Sequence, residues 1–203
     1  MTTRATERRL IGIIRRASAR GSGVRVGIGD DCAVLEPGAG RLLLATTDLL
    51  VEDVHFRRRY ASAADLGWKS LAVNLSDIAS MGGHPRWALV ALACPEDVTD
   101  EEAEAFYAGM LELAEAHDVA VVGGDTSASP RGWIVNVTLL GEAAPASVLR
   151  STATPGDVIA VTGALGRAAA GLAVLERGTA PAVAPAAVEE VRAAHLRPRP
   201  RVH

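Results

Sequence analysis

Apolar and polar positions along this chain alternate with two different periods, and the switches between them mark its elements. Over residues 4–20, Leu10, Ile11, Ile13 and Ile14 make an apolar face between arginines, a helical pattern broken by Gly21-Ser22-Gly23. Val24, Val26 and Ile28 then alternate, predicting a first strand over 24–28 that continues through 32–35. A turn is expected over 36–40 and a second strand, apolar throughout, over 41–45. From 63 to 81 the period is helical: Leu71, Leu75 and Ile78 form a core stripe, and Ser70, Asn74 and Asp77 form a polar stripe one residue earlier. These short polar side chains suit a ligand site better than the long Lys and Glu of an ordinary wet face. Gly82, Gly83 and Pro85 end that helix.

A third strand is predicted over 87–94, then a helix from Thr99 to about His117. Glu102, three residues after Thr99, completes a capping box. A short strand over 119–122, a long one over 133–140 and another over 158–161 follow, the small-residue loop Thr162-Gly163-Ala164-Leu165-Gly166 leads into a helix over 167–175, and another helix covers 188–195. Residues 178–187 read as an Ala/Pro-rich linker, and the basic, Pro-interrupted end after Leu196 reads as unstructured. Strands and helices that interleave in this way predict an α/β (α+β) architecture, a mixed sheet flanked by helices.

Candidate chemistry gathers where strands stop. Gly27-Ile28-Gly29-Asp30-Asp31-Cys32-Ala33 places two acids after two glycines, Thr46-Thr47-Asp48 follows the second strand, and Gly123-Gly124-Asp125-Thr126 follows the strand over 119–122. Each has a plain structural alternative, an acidic turn, an ST-turn or a helix N-cap. Taken together, Asp31, Asp48, Asp77 and Asp125, with Asp30 alongside, form a set of hard oxygen donors suited to Mg²⁺ shared with a polyphosphate. Phosphoryl transfer asks mainly for positioning and charge neutralisation. No Ser-His-Asp arrangement, zinc motif or GxGxxG fingerprint is present.

Composition narrows the class further. Of 203 residues, 49% are hydrophobic but only 3% aromatic, so the core must be built from Ala, Val, Leu and Ile. A formal net charge of −3 argues against a nucleic-acid partner. Two cysteines without metal spacing, no long apolar run and a polar N-terminus predict a cytoplasmic protein with no membrane partner.

The acid-bearing motifs, together with His55-Phe56, the run Lys69 to Gly82, Leu149-Arg150-Ser151, Pro155-Gly156-Asp157, Val161-Thr162-Gly163 and His195-Leu196-Arg197-Pro198, resemble thiamine-monophosphate kinase in their order along nearly the whole chain. The resemblance implies the N-terminal domain of the aminoimidazole ribonucleotide synthetase-like fold over 1–145, dimerising through its sheet, and the beginning of a second domain over 146–203. It implies transfer of the γ-phosphate of ATP to thiamine monophosphate, giving thiamine diphosphate, by direct in-line attack assisted by Mg²⁺. Carried over by motif, Asp31, Thr46, Thr47, Asp48, Asp77 and Asp125 are metal ligands, with Asp31 a more direct one than Asp30. Asp48, Asp77 and Arg150 are catalytic, His55 meets the thiamine phosphate, and Tyr107, Gly124, Asp125 and Arg150 meet the nucleotide. Tyr107, beside Phe106, reads either as a core edge or as a stacking surface for a base. Thr46 stands where a serine is common in the family. The family's Asp-x-Ser-Asp-Gly and Gly-Gly-Glu-Asp-Tyr motifs do not occur here, so weak or absent activity is expected of this chain alone. The competing readings are a non-catalytic nucleotide-binding or dimerisation module, and a superfamily enzyme with another substrate, such as a selenophosphate synthetase or a purine-pathway ligase. The former usually carries a reactive Cys near its N-terminus, and no Cys precedes Cys32.

Overall fold

A computed structural model describes residues 24–26, 31, 33–38, 41–143, 148–178 and 182–202. The expected helix over 4–20, residues 27–30 and Cys32 lie outside them. Among the described residues six strands form one sheet: β1 (Val24–Val26), β2 (Ala33–Gly38), β3 (Arg41–Val51), β4 (Gly83–Cys94), β5 (Ala120–Ala128) and β6 (Ile134–Ala143), in the order β1-β2-β3-β6-β4-β5. Only β4 and β5 run parallel, joined by a helix as a parallel pair requires; the other neighbours are antiparallel.

Strand alternation decides the two faces. Leu42, Leu44 and Leu50 of β3, Ala88, Val90 and Leu92 of β4, and Val135, Val137 and Leu139 of β6 are buried on one face. The helices α1 (Ala63–Ser80) and α2 (Asp100–Ala116) cover it, α1 packing on β3, β4 and β6 through Leu71, Leu75 and Ile78. The intervening positions point the other way, where Leu49, Trp87, Leu89 and Val122 are exposed.

Both covering helices begin with a capping box. Thr99 and Glu102 form the expected one, and Ser62 with Asp65 forms a second. Where the helices cross they touch backbone to backbone. A Cβ on Gly67 would lie 1.9 Å from the Phe106 carbonyl oxygen, and one on Gly109 would lie 2.0 Å from the Ala64 carbonyl oxygen.

Several boundaries differ from the sequence expectation. The strand expected over 41–45 runs to Val51, so Thr46-Thr47-Asp48 sits mid-strand; the hydroxyls and carboxylate take part in the alternation instead of ending it. Gly123-Gly124-Asp125-Thr126 likewise lies inside β5, in register with Leu89 to Leu92. Glu36-Pro37-Gly38 belongs to β2, and β4 starts at Gly83. No strand forms over 158–161: Val158 and Ile159 are each 92% exposed, and an apolar run without a ladder partner does not make a strand. The stretch read as a linker over 178–187 already contains the start of the last helix, because Pro185 is preset for the first helical turn.

After β6 come a 3₁₀ turn (Arg150–Thr152), α3 (Arg167–Arg177) and α4 (Pro185–Leu196). The end of the chain, expected to be unstructured, docks on α1. Arg197 donates to Asp65 at 2.7 Å and to Glu112 at 3.1 Å, its guanidinium lies over the Trp68 ring, and the Trp68 indole N–H donates to the Pro198 carbonyl at 2.8 Å. Burial alone would raise the Asp65 pKa, but hydrogen bonds from Arg197 and Ser62 outweigh it and hold the carboxyl below the usual range. Glu176 of α3 is gripped by Arg57 and Arg59, with the Tyr60 hydroxyl at 3.3 Å. Among the described residues, no helix is long and apolar enough to cross a membrane.

Candidate functional site

The alternation of β3 selects which of its polar residues meet α1. Thr46 and Asp48 share the helix-covered face with Leu44 and Leu50, so they reach under the last turns of α1. Thr46 is buried, and its hydroxyl donates to Asp77 Oδ2 at 2.7 Å. Burial raises the pKa of Asp77; the Thr46 bond opposes the rise and the charge of Asp48 adds to it. Burial also raises the pKa of Asp48, offset by His55. Two half-buried carboxylates thus sit within electrostatic reach of each other, each costly to ionise, which is the condition a shared cation relieves. His55 lies in the turn after β3, where its Nδ1 accepts the Val51 N–H at 3.0 Å.

A second group adjoins the first through α1. Ser80, one turn beyond Asp77, donates to Asp31 Oδ2 at 2.8 Å and lies 2.8 Å from the Asp77 carbonyl. Arg150, from the 3₁₀ turn, forms an ion pair with Asp31. Asp31, Thr46, Asp48, Asp77 and Arg150 therefore gather around the C-terminal end of α1. Ser80 escaped the sequence reading, although its i, i+3 relation to Asp77 places both on one helix face.

The remaining expected site residues fall elsewhere. The Thr47 side chain points to the helix-free face, where its hydroxyl meets Thr138 at 3.1 Å and Asn136 at 2.9 Å. Asp125 is exposed on the edge strand, and no hydrogen bond or ion pair among the described residues links it to the other acids. Gly124 has a structural reason to be glycine: a Cβ there would lie 1.8 Å from the Val90 carbonyl oxygen. Tyr107 packs edge-on against Phe106, ring centroids 5.1 Å apart, as a core edge. Two members of the polar stripe on α1 do not face a ligand at all. Ser70 and Asn74 are fully buried and donate to the helix's own carbonyls, those of Gly67 and Ser70.

The donor set suits Mg²⁺ by its chemistry: hard carboxylate and hydroxyl oxygens, with a guanidinium already standing as counter-charge on Asp31. No group of three or more His, Cys, Asp or Glu among the described residues is arranged to hold a metal unaided. Mg²⁺ commonly takes one or two carboxylates and completes its shell with phosphate and water. A cavity of about 740 Å³ opens at the other end of α1, lined by Phe56, Arg58, Leu66, Glu102 and Trp133. It lies roughly 20 Å along the helix from Asp77, reckoned from the rise per residue. Its Arg58 is already neutralised by Asp97 and Glu102, so the acids at the far end of α1 remain the better site.

Residues 29–143 match the family model "AIR synthase related protein, N-terminal domain". This chain belongs to the AIR synthase related family. The matched span covers β2 to β6 with α1 and α2, and it contains Asp31, Thr46, Asp48 and Asp77. Within that family the chain is 44% identical over 182 residues to the thiamine-monophosphate kinase of Bacillus subtilis, covering 89% of this chain and 56% of that protein. The solved structure of AaThiL complexed with AMPPCP and TMP superposes with a TM-score of 0.87 at 37% identity, over 99% of this chain and 62% of that one. Thiamine-monophosphate kinase from Stenotrophomonas maltophilia matches with a TM-score of 0.74 at 42% identity, over 95% and 61% of the two chains. The chain spans about half the length of the curated relatives it matches.

Proposed function

We propose that this chain carries the metal- and nucleotide-binding half of a thiamine-monophosphate kinase, using ATP to phosphorylate thiamine monophosphate. The observation that supports this most directly is the cluster of Thr46, Asp48 and Asp77, with Asp31 adjoining, in a chain 44% identical to such a kinase. Mg²⁺ bound there would neutralise the phosphate oxygens of the nucleotide. Asp48 and Asp77 would hold one such ion and Asp31 another, with phosphate and water completing each shell; Thr46 keeps the Asp77 carboxylate oriented, and Asp125 would approach from β5. His55, within electrostatic reach of Asp48, would meet the acceptor phosphate. Arg150 would meet the nucleotide phosphates, with Gly124 as a further nucleotide contact. The acceptor is itself an anion at neutral pH, so the reaction calls for charge offset and alignment and for no general base.

Residues 146–203 would begin a second unit, a reading supported by the exposed apolar run Val158, Ile159, Val161 and Leu165. The helix-free sheet face, with Leu49, Trp87 and Leu89, is the surface we assign to a homodimer. Calorimetric titration with AMPPCP and Mg²⁺ tests the binding assignment: heat is expected from the wild type and not from Asp48→Ala, and equal titrations would refute it. Assay of thiamine diphosphate formation tests the division of labour, since robust turnover by this chain alone would show that it needs no further unit.

A further inference from the structure

Asp31 sits at an electrostatically poor position. It approaches the C-terminal end of α1, where the helix dipole is negative, and the last turn of that helix carries no basic residue. Ser80 and Arg150 are among the groups that compensate. The Ser80 hydroxyl fixes Asp31 Oδ2, and the Arg150 guanidinium pairs with Oδ1. The Arg150 segment is tethered beside them by the Val148 N–H, which donates to the carbonyl of Met81, the cap of α1, at 3.3 Å. Of the two charged partners the arginine is the more open: its side chain is 63% exposed, whereas that of Asp31 is 22% exposed.

From this geometry we infer that Asp31 and Arg150 form an exchangeable pair: the guanidinium holds the place of the metal on Asp31 until nucleotide arrives, then passes to its phosphates as the carboxylate takes the cation. Ser80 is the positioning residue, keeping Asp31 turned toward the exchange whichever cation it holds. The inference rests on the metal–nucleotide reading above and adds to it an order of events. Nucleotide without metal must compete with Asp31 for Arg150, and metal without nucleotide must compete with Arg150 for Asp31. Metal and nucleotide together satisfy both partners. A pair whose arginine is open to solvent is weak enough to exchange, worth about 0.2–1 kcal/mol, or roughly a 1.4- to fivefold effect on either ligand taken alone.

A double-mutant cycle separates exchange from the general effect of changing a charge. Binding of AMPPCP in the presence of EDTA is measured for the wild type, Asp31→Asn, Arg150→Gln and the double variant, with a thermal melt of each to establish that it folds. Asp31→Asn is expected to tighten metal-free binding, and to tighten it less, by a factor of up to about five, once Arg150 is replaced. Equal tightening in both backgrounds, or none in either, overturns the exchange while leaving the site assignment intact. Failure of every protein to bind AMPPCP with or without Mg²⁺ overturns the nucleotide reading itself, and the exchange with it. An independent readout is Mn²⁺ binding without nucleotide, followed by electron paramagnetic resonance. Arg150→Gln should bind Mn²⁺ more tightly than the wild type and Ser80→Ala less tightly, with metal-free AMPPCP binding of Ser80→Ala unchanged. Weaker or equal Mn²⁺ binding by Arg150→Gln counts against the pair.

Discussion

Thr46→Val isolates the contact that joins β3 to α1 at the candidate site. The substitution keeps the shape of a β-branched strand residue and removes one hydroxyl. That hydroxyl belongs to a residue only 7% exposed and donates at 2.7 Å to a carboxylate. A hydrogen bond to a charged acceptor contributes about 1.5–3 kcal/mol net; because Asp77 is only half-buried, and water replaces part of the loss, about 1–2 kcal/mol is expected. For a chain of this size that lowers Tm by roughly 3–6 °C. The pH dependence is the sharper test. Burial already raises the Asp77 pKa, and the Thr46 bond is what opposes it, so the variant pKa rises further. The two proteins therefore differ most above both pKa values, where Asp77 is ionised in each. The gap narrows as pH falls through the variant's pKa and then the wild type's. Below both, only a neutral hydrogen bond distinguishes them, about 0.5–1.5 kcal/mol. Thermal melts from neutral to acid pH measure the gap directly. Equal Tm at neutral pH, or a gap that widens on acidification, would refute the reasoning.

Gly67→Ala should lower Tm by several degrees, since a methyl 1.9 Å from the Phe106 carbonyl oxygen forces the helices apart; overpacking costs about 1–3 kcal/mol, and an unchanged melt would contradict the close crossing. Asp48→Asn removes a carboxylate whose pKa is raised chiefly by burial, so it should raise Tm at neutral pH while weakening Mg²⁺-dependent nucleotide binding in calorimetry. The gain should vanish in acid, where the wild-type Asp48 is itself protonated. Arg197→Ala should destabilise by about 1–2 kcal/mol at neutral pH by denaturant titration. The Asp65 pKa is depressed in the fold, so that contribution is present at neutral pH and is lost as pH falls through the depressed value.

The elements legible in the sequence were those fixed by local chemistry. The Thr99–Glu102 capping box and the Leu71, Leu75, Ile78 stripe reappear where their spacing put them. The strand ends differ for a shared reason: Thr, Asp and Gly commonly break strands, whereas long sheet neighbours carry β3 and β5 straight through them. The same extension splits Thr46 from Thr47, a division that no motif contains because it depends on which face α1 covers. Ser70 and Asn74 share the spacing of Asp77, yet only Asp77 lies beyond the buried crossing with α2. The pairing of Asp31 with Arg150 joins residues far apart in the chain, and only the folded path brings them together.

The position of β6 has a consequence for how the molecule is made. It lies between β3 and β4, which never pair with each other. A chain emerging from the ribosome therefore presents two apolar strands, each missing its inner neighbour, until residues 134–143 have been synthesised. At about 5–20 residues per second, the interval from the end of β4 to the end of β6 lasts several seconds. During that time α1 has only part of its sheet to rest on. The nascent chain is most open to misassociation in that window, and slow codons within it would prolong the exposure of a sheet that its last strand completes.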